Sequence, residues 1–491
     1  MMKRVVIAGG GIAGLAAAYY LQKKAAEESI ELHISVLEAD DRWGGKITTD
    51  RVDGFVVEGG PDTFLRTKPW AVDLCRELGL KERLHGTNPD KKNTYVLRGG
   101  ELHPLPEGLT MMIPTQIASM VRTNLLSWPE KMRMGLDFLI PPKPLDGDES
   151  LGEFVSRRLG RAAYENLIEP LMSGIYAGDG DQLSLQATFP YLRDLEIKHG
   201  GLVKGALAVR RQRANGKPAP ASNPSIFLTP TTGLAEIVEA LVERLQNAGA
   251  DLRLETSVTH VARANENYDY VIELSDGEAL QAHGVILATP AYVSGDLLAA
   301  LDESLASQLQ DVEYVSTATV SLGYRQADLA KPLDGYGYVI PRQEGRKALA
   351  CTWTSTKFPH RAPEEHVLLR VFVGRAGQEA LLPWDEEGLL EVAKEELSLT
   401  MGITADPVLE RVYIWERAMP QYNLGHPERL DRIEARLKDW PGLALAGNGY
   451  EGIGIPDCIH SGEQAAEAIL ATLAESHKSH QFADPADFVN Y

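Results

Sequence analysis

The sequence predicts an α/β fold: a Rossmann-like dinucleotide-binding domain joined to a β-rich second domain that carries a helical insertion. Three observations support this. At the N-terminus, Val5-Val6-Ile7-Ala8 reads as a buried strand and Gly9 to Gly14 as a glycine turn. Residues 15–24 then read as a helix and residues 32–37 as a second strand, completing a β-α-β unit. Two more fully apolar strands follow far along the chain. Val285-Ile286-Leu287-Ala288 is stopped by Thr289-Pro290, and Leu443-Ala444-Leu445-Ala446 leads into a Gly-rich turn and a helix over 457–473. Between them, the β-branched and aromatic runs from 314 to 373 predict an antiparallel sheet.

Composition bounds the function. A chain of 491 residues has room for about three structural units, and with 44% apolar and 24% charged residues it folds. Against 49 basic residues stand 69 acidic ones, a formal charge of −20. That field repels phosphate backbones and anionic lipid, so no nucleic-acid partner is expected, and an anionic substrate needs a local basic patch. Cys75, Cys351 and Cys458 are too few and too scattered for a disulfide framework or a thiolate metal site, so no metal is expected and a reducing cytoplasm fits. Met1-Met2-Lys3-Arg4 and the short strand after it lack the form of a signal peptide. The longest apolar stretch, 109–128, is interrupted by Pro114, Gln116, Arg122 and Asn124. It is too broken to span a bilayer, which leaves peripheral contact as its only membrane role.

The remaining elements follow in order. Residues 141–148 form a proline-rich loop, and Ser150-Leu151-Gly152-Glu153 has the spacing of a capping box that opens a helix towards Glu169. Residues 210–223 read as an exposed loop. Leu234, Ile237, Val238, Leu241, Val242 and Leu245 recur at helical spacing up to Gly249. Strands are expected over 251–258, 268–274 and 278–282, with Asp276-Gly277 as a tight turn, and residues 476–491 form a mobile tail.

Gly9-Gly10-Gly11-Ile12-Ala13-Gly14 satisfies G-x-G-x-x-G between a strand and a helix. The glycines permit the tight turn and the approach of a pyrophosphate, and the helix N-terminus offers N–H groups and a positive dipole. Alone, a Gly-rich turn is an equal reading. Glu38, which closes the second strand ahead of Ala39, stands where a carboxylate accepts from ribose hydroxyls and tips the balance. Arg42-Trp43-Gly44-Gly45-Lys46 and Glu58-Gly59-Gly60-Pro61-Asp62 follow, a second Gly–Gly turn that a nicotinamide domain does not need. Gly45-Lys46 is no P-loop, because Ile47 stands where Ser or Thr is required.

With these segments the chain resembles the flavin amine oxidase and protoporphyrinogen oxidase superfamily. The resemblance implies FAD, with Ala39, Arg42, Gly45, Lys46, Gly59, Gly60, Pro61 and Asp62 along its diphosphate and near its isoalloxazine. Leu445-Ala446-Gly447-Asn448 and Glu451-Gly452-Ile453-Gly454-Ile455-Pro456 resemble the family's second FAD segment, which adds Gly447, Ile453, Gly454 and Ile455. Val258 matches the position that packs on adenine. Trp415 matches an FAD contact, with an ordinary core tryptophan as its alternative. The implied flavin domain is discontinuous, over 1–87, 224–295 and 410–475, with substrate-domain strands and the helical insertion over 88–223 and the β-rich substrate domain over 296–409.

Ser150-Leu151-Gly152-Glu153-Phe154, Pro170-Leu171-Met172-Ser173-Gly174-Ile175-Tyr176 and Ala418-Met419-Pro420-Gln421-Tyr422 are similar to porphyrinogen oxidase segments, and Gly60-Pro61-Asp62-Thr63-Phe64 resembles the soluble bacterial branch that acts on coproporphyrinogen III. The resemblance implies a six-electron oxidation in haem synthesis with O₂ as acceptor and H₂O₂ as product, and transient hand-off of the porphyrin to a ferrochelatase. Lys68 either offsets substrate propionates or is a solvated surface lysine, and Arg66 is a weaker candidate for the same task. Tyr176, Tyr422 and His426 either line the cavity or pack in the core. The rival readings are a protoporphyrinogen IX oxidase, an amine oxidase, and a non-enzymatic binding protein on the same fold, as in guanine-nucleotide dissociation inhibitors.

Overall fold

The apolar runs at 5–8, 285–288 and 443–446 lie side by side in the computed structural model, which describes residues 2–110, 113–114, 116–144, 147–215, 225–264 and 269–481. They belong to one five-stranded sheet in the order Asp251–Arg253, Leu32–Leu37, Lys3–Ala8, Gly284–Leu287, Leu443–Leu445, parallel throughout, with Val5 level with Ile34 and Gly284. A sheet covered on both faces needs apolar side chains at every position, which is why these strands read as unbroken runs. Val5, Ile7, Ile34, Val36 and Ile286 point into a core shared with the helices Ile12–Glu27, Ala235–Asn247 and Ile455–Gln481. Val6, Ala8, Leu37, Val285 and Leu287 point the other way, beneath the helices Ala291–Leu298 and Glu303–Gln310 and a three-stranded antiparallel sheet. That small sheet consists of Val258–Arg263, Tyr270–Leu274 and Ala279–Ala282, with Gly277 left-handed in the tight turn.

The second domain is a seven-stranded sheet in the order Leu409–Pro420, Tyr314–Arg325, His366–Val373, Ala348–Trp353, Gly335–Val339, Asn93–Arg98, Glu101–Pro104. All pairs are antiparallel except Gly335–Val339 with Asn93–Arg98. The domain partition read at residue 410 is therefore corrected. Residues 410–420 are the edge of the substrate sheet, because Tyr314–Arg325 hydrogen-bonds along them, with Ala318 level with Ile414. From that edge Trp415 reaches the Gly59 carbonyl of the other domain.

The insertion has its own core, built on Phe154, Val155, Tyr164, Leu167, Ile168, Met172 and Leu192. Ser150 caps the helix Leu151–Leu159 as expected, its hydroxyl accepting from Glu153 N–H at 3.1 Å. The single helix read towards Glu169 is broken at Gly160, whose φ of +96° is open to glycine alone, and resumes through a wider π turn, Tyr164–Ile168, into the helix Glu169–Tyr176. Arg158 is fully enclosed and donates to Asp137 Oδ1 at 2.6 Å. The exposed loop read from 210 gives way to the helix Leu202–Asn215, and residues 216–224 lie outside the described residues. Of the tail read over 476–491, residues 476–481 belong to the last helix, which runs to Gln481, and residues 482–491 lie outside the described residues. Residues 111, 112 and 115 of the 109–128 stretch also lie outside it. Among the described residues no helix is long and apolar enough to cross a membrane, although the helix Trp128–Gly135 and the turn after it leave Trp128, Met132 and Leu139 exposed.

Candidate active site

The glycine turn lies at the N-terminus of the helix Ile12–Glu27. Gly11 is extended at the N-cap, no side chain bonds the first-turn N–H groups, and that turn holds no acid. A Cβ built on Gly11 meets nothing within 4 Å, so the space faces unpaired donors and a positive dipole. Gly14 is required for a different reason: a Cβ there would stand 2.0 Å from Gly9 O, so only glycine lets helix and strand approach. Ile12 and Ala13 are buried beside it. The 42–47 loop is strapped across the turn. Gly44 N–H donates to Gly10 O at 2.9 Å, the Trp43 ring covers Gly10, and Arg42 donates to Gly45 O at 2.6 Å and Ile47 O at 3.3 Å. Lys46 is half-buried, with no hydrogen bond or ion pair to another described residue, and burial lowers its pKa. Open N–H groups at a helix N-terminus with a lysine that has no carboxylate partner among the described residues fit a diphosphate.

Glu38 is buried one strand over. Its Oε2 accepts from Gly10 N–H at 2.6 Å and its Oε1 from Asp40 N–H at 3.0 Å. A carboxylate offers about four acceptor positions, so two remain for ribose hydroxyls. Ala39 is exposed beside it. Thr256 N–H donates to Glu38 O at 2.8 Å, which brings Val258, two residues later, to this end of the groove.

The other end is built around Gly59 and Gly60. Gly59 O accepts from Thr319 Oγ1 at 2.8 Å, Trp415 Nε1 at 2.9 Å and Arg370 Nη2 at 3.1 Å, and Arg370 also donates to Gly60 O. A Cβ on Gly60 would lie 1.8 Å from Lys46 O, which fixes the spacing between the two Gly–Gly turns. Pro61 leads to Asp62, whose carboxylate pairs with Lys357 Nζ at 3.1 Å. Gly447 closes this end with φ +122°, its N–H donating to Ser461 Oγ at 2.9 Å. Gly454 N–H reaches Asp457 Oδ2 at 3.3 Å as the last helix begins with Ile455, and Ile453 packs against the core of the insertion.

The structure brings Lys68 to this end: its ammonium lies 2.5 Å from Asp457 Oδ1, in the first turn of that helix. Arg66 is exposed on the adjoining surface. Tyr422 and His426, read as cavity candidates, are fully enclosed and are corrected to packing residues. Their rings stack at 4.3 Å, Tyr422 OH donates to Asn448 O at 2.6 Å, and His426 Nε2–H donates to Tyr450 O at 2.9 Å, so together they brace the 448–450 turn from behind. Burial lowers the pKa of His426, which keeps it neutral. Tyr176 is 6% exposed and meets Tyr422 edge-on at 6.1 Å; it belongs to the same packed layer. Sequence reasoning missed Ala288, whose carbonyl backs Gly9, and also Arg370, Lys357 and Asp457. Only Ala288 had a local signal: a strand stopped by Thr289-Pro290 beside the glycine motif. Among the described residues no group of His, Cys, Asp or Glu is placed to hold a metal.

A parallel sheet, a glycine turn open at a helix N-terminus, a buried carboxylate with acceptor positions to spare and a distal Gly–Gly clamp have the form of the dinucleotide-binding class. The chain belongs to the flavin containing amine oxidoreductase family, whose sequence profile matches residues 12–470, and its cofactor is a flavin. It is 40% identical over 472 residues to the coproporphyrinogen III oxidase of Bacillus subtilis (strain 168), covering 96% of this chain and 98% of that one. It is 35% identical to the coproporphyrinogen III oxidase of Staphylococcus aureus, covering 96% and 100%. The chloroplastic protoporphyrinogen oxidase 1 of Spinacia oleracea is 31% identical, with 96% and 84% covered. A crystal structure described as a protoporphyrinogen oxidase from Exiguobacterium sp. 255-15 superposes with a TM-score of 0.83 at 36% identity, covering 96% of this chain and 99% of the other.

Proposed function

We propose that this protein is an FAD-dependent coproporphyrinogen III oxidase that passes electrons to O₂, working in the cytoplasm. The observation that carries the reading is the 40% identity, over nearly the whole of both chains, to a coproporphyrinogen III oxidase, supported in this chain by the open glycine turn at Gly11 and the buried Glu38 carboxylate beside it. Bound FAD supplies two-electron oxidation, so removing six electrons takes three rounds: coproporphyrinogen III and three O₂ give coproporphyrin III and three H₂O₂.

The chain's own residues bind and orient. Gly11 and the helix N-terminus hold the diphosphate with the Lys46 charge near it, and Glu38 holds the ribose. Trp415, Thr319 and Arg370 fix the Gly59–Gly60 turn on the reacting side. Lys68 supplies the cation for propionates by exchanging Asp457 for a substrate carboxylate. No residue is assigned as an obligatory base, because pyrrole protons can leave to solvent, and the porphyrin passes on to a ferrochelatase. The test is turnover by the purified protein, read as porphyrin fluorescence and peroxide. Faster kcat/KM on the four-propionate substrate than on protoporphyrinogen IX is expected. The reverse order overturns the substrate assignment, and flavin reduction by amines but not by porphyrinogens overturns the reaction class.

A further inference from the structure

We propose that Asp62 is a fixed anion that receives the inner pyrrole N–H groups of the porphyrinogen and the positive charge that develops on the ring, with Lys357 as its counter-cation. The inference rests on the porphyrinogen oxidase reading above and deepens it. Asp62 stands two residues past Gly60, in a turn whose carbonyls are held by Arg370, Trp415 and Thr319, so the position of its backbone is set by the flavin-end clamp itself. Its Oδ2 accepts from Lys357 Nζ at 3.1 Å and its Oδ1 from Thr63 Oγ1 at 3.2 Å. The two side chains of the ion pair are 18% and 13% exposed, so the pair lies deep in the molecule without being sealed from solvent.

The surroundings keep this carboxylate charged. Lys357 closes the short helix Thr354–Lys357 of the substrate domain, and its ammonium also lies 5.4 Å from the ring of Phe227 and 5.3 Å from that of Phe358. Arg370 and Arg361 add positive charge, while the nearby Glu58 is occupied by Arg361 at 2.7 Å. Burial alone would push the Asp62 carboxyl up, but Lys357 and Arg370 outweigh it and hold the pKa at about 2. Such a group is too weak a base to take a proton at neutral pH. It is a permanent anion.

That is what the substrate's chemistry asks for. A porphyrinogen turns four N–H donors to its centre and no acceptor, because each pyrrole lone pair belongs to its ring. In each two-electron step a C–H bond at a meso carbon breaks and its electron pair leaves with the hydrogen, as hydride, to an acceptor of the flavin class. The two bridged pyrroles are left as a dipyrrylmethene cation, which then loses an N–H proton to solvent. A carboxylate beside that cation stabilises it more than it stabilises the neutral substrate, which is the condition for raising kcat.

The test uses the full-length, flavin-loaded protein with Asp62→Asn, Lys357→Met and Lys357→Arg. FAD content, coproporphyrin III binding and coproporphyrinogen turnover are followed from about pH 5 to 9. Asp62→Asn should keep its FAD while kcat falls about 100-fold and coproporphyrin III binding weakens about tenfold. Lys357→Met should retain turnover at high pH but gain an acid limb displaced upwards, because the buried carboxyl loses the charge that held it ionised; Lys357→Arg should restore the wild-type profile. A flavin-replete Asp62→Asn enzyme with wild-type kcat overturns the proposal. If that variant loses its flavin, the pH profile of Lys357→Met decides, and an unmoved acid limb overturns it. A wild-type protein that oxidises no porphyrinogen overturns this proposal together with its parent reading, whereas normal wild-type turnover with an indifferent Asp62 overturns this proposal alone.

Discussion

Glu38 holds the glycine turn through Gly10 N–H with one carboxylate oxygen and Asp40 N–H with the other, and keeps acceptor positions to spare. Glu38→Ala should weaken FAD binding about 10- to 100-fold, since hydrogen bonds to a charged group are worth about 1.5–3 kcal/mol. Flavin titration of the apoprotein measures it, and an unchanged affinity removes Glu38 from the site. Gly11→Val should be worse, because its side chain fills the open space before the helix N-terminus. Lys68 is a subtler case. Its side chain is 40% exposed and its ammonium already paired, so Lys68→Ala removes a cation and also uncovers the carboxylate of Asp457. KM for coproporphyrinogen III should rise with FAD content intact, and added salt should mimic part of the loss, because charges this exposed are screened within about 10 Å at 0.1 M. Steady-state kinetics indistinguishable from wild type at low salt would return Lys68 to the solvated surface.

At the scale of elements, the site depends on contacts between segments distant in sequence. Gly60 packs on Lys46 O, and its carbonyl is held by Arg370 from the centre of the seven-stranded sheet, so the clamp joins the two domains. Gly60→Ala must part the two Gly–Gly turns by more than an ångström. FAD-loaded protein should be lost on purification, while far-UV circular dichroism stays that of a folded chain. The insertion answers to local rules instead. Ser150→Ala removes the cap of Leu151–Leu159 and should cost about 1 kcal/mol, read as a lowered Tm with kcat unchanged.

For the whole molecule, pH ties the domain junction to stability. Burial, then the charge of Arg361 and His85, lowers the pKa of His360 from 6.5 to about 4, so the unfolded chain takes up that proton first as pH falls. Stability from this group is complete above about pH 6.5 and is lost progressively down to about 4. The Asp62 carboxyl, held at about 2, behaves likewise in a lower window: its contribution is present above about pH 4 and lost as pH falls through about 2. His360→Phe should flatten the decline of Tm between pH 6.5 and 4 and leave the lower window in place. An identical decline in the variant would assign that window to other groups.

How much of this was legible in the sequence depended on the range of the interaction that fixed each feature. The nucleotide-binding half was legible because its determinants are local: strands buried on both faces are apolar at every residue, a glycine turn before a helix announces its geometry, and Glu38 lies one strand away. The second FAD segment was recognised as a string of residues, not from any contact. Which candidate side chains stay accessible was decided only by tertiary structure. Tyr422 and His426 have side chains suited equally to a cavity wall and to a core, and only the packed chain encloses them behind the 448–450 turn. Trp415 reaches Gly59 because residues 409–420 join the seven-stranded sheet, a pairing set by Tyr314–Arg325 nearly a hundred residues earlier. Lys68 meets Asp457, and Asp62 meets Lys357, across about 390 and 300 residues respectively. Periodicity and capping report on neighbours within a few turns of chain, whereas charge pairs of this kind form only where the fold brings distant segments within about 4 Å.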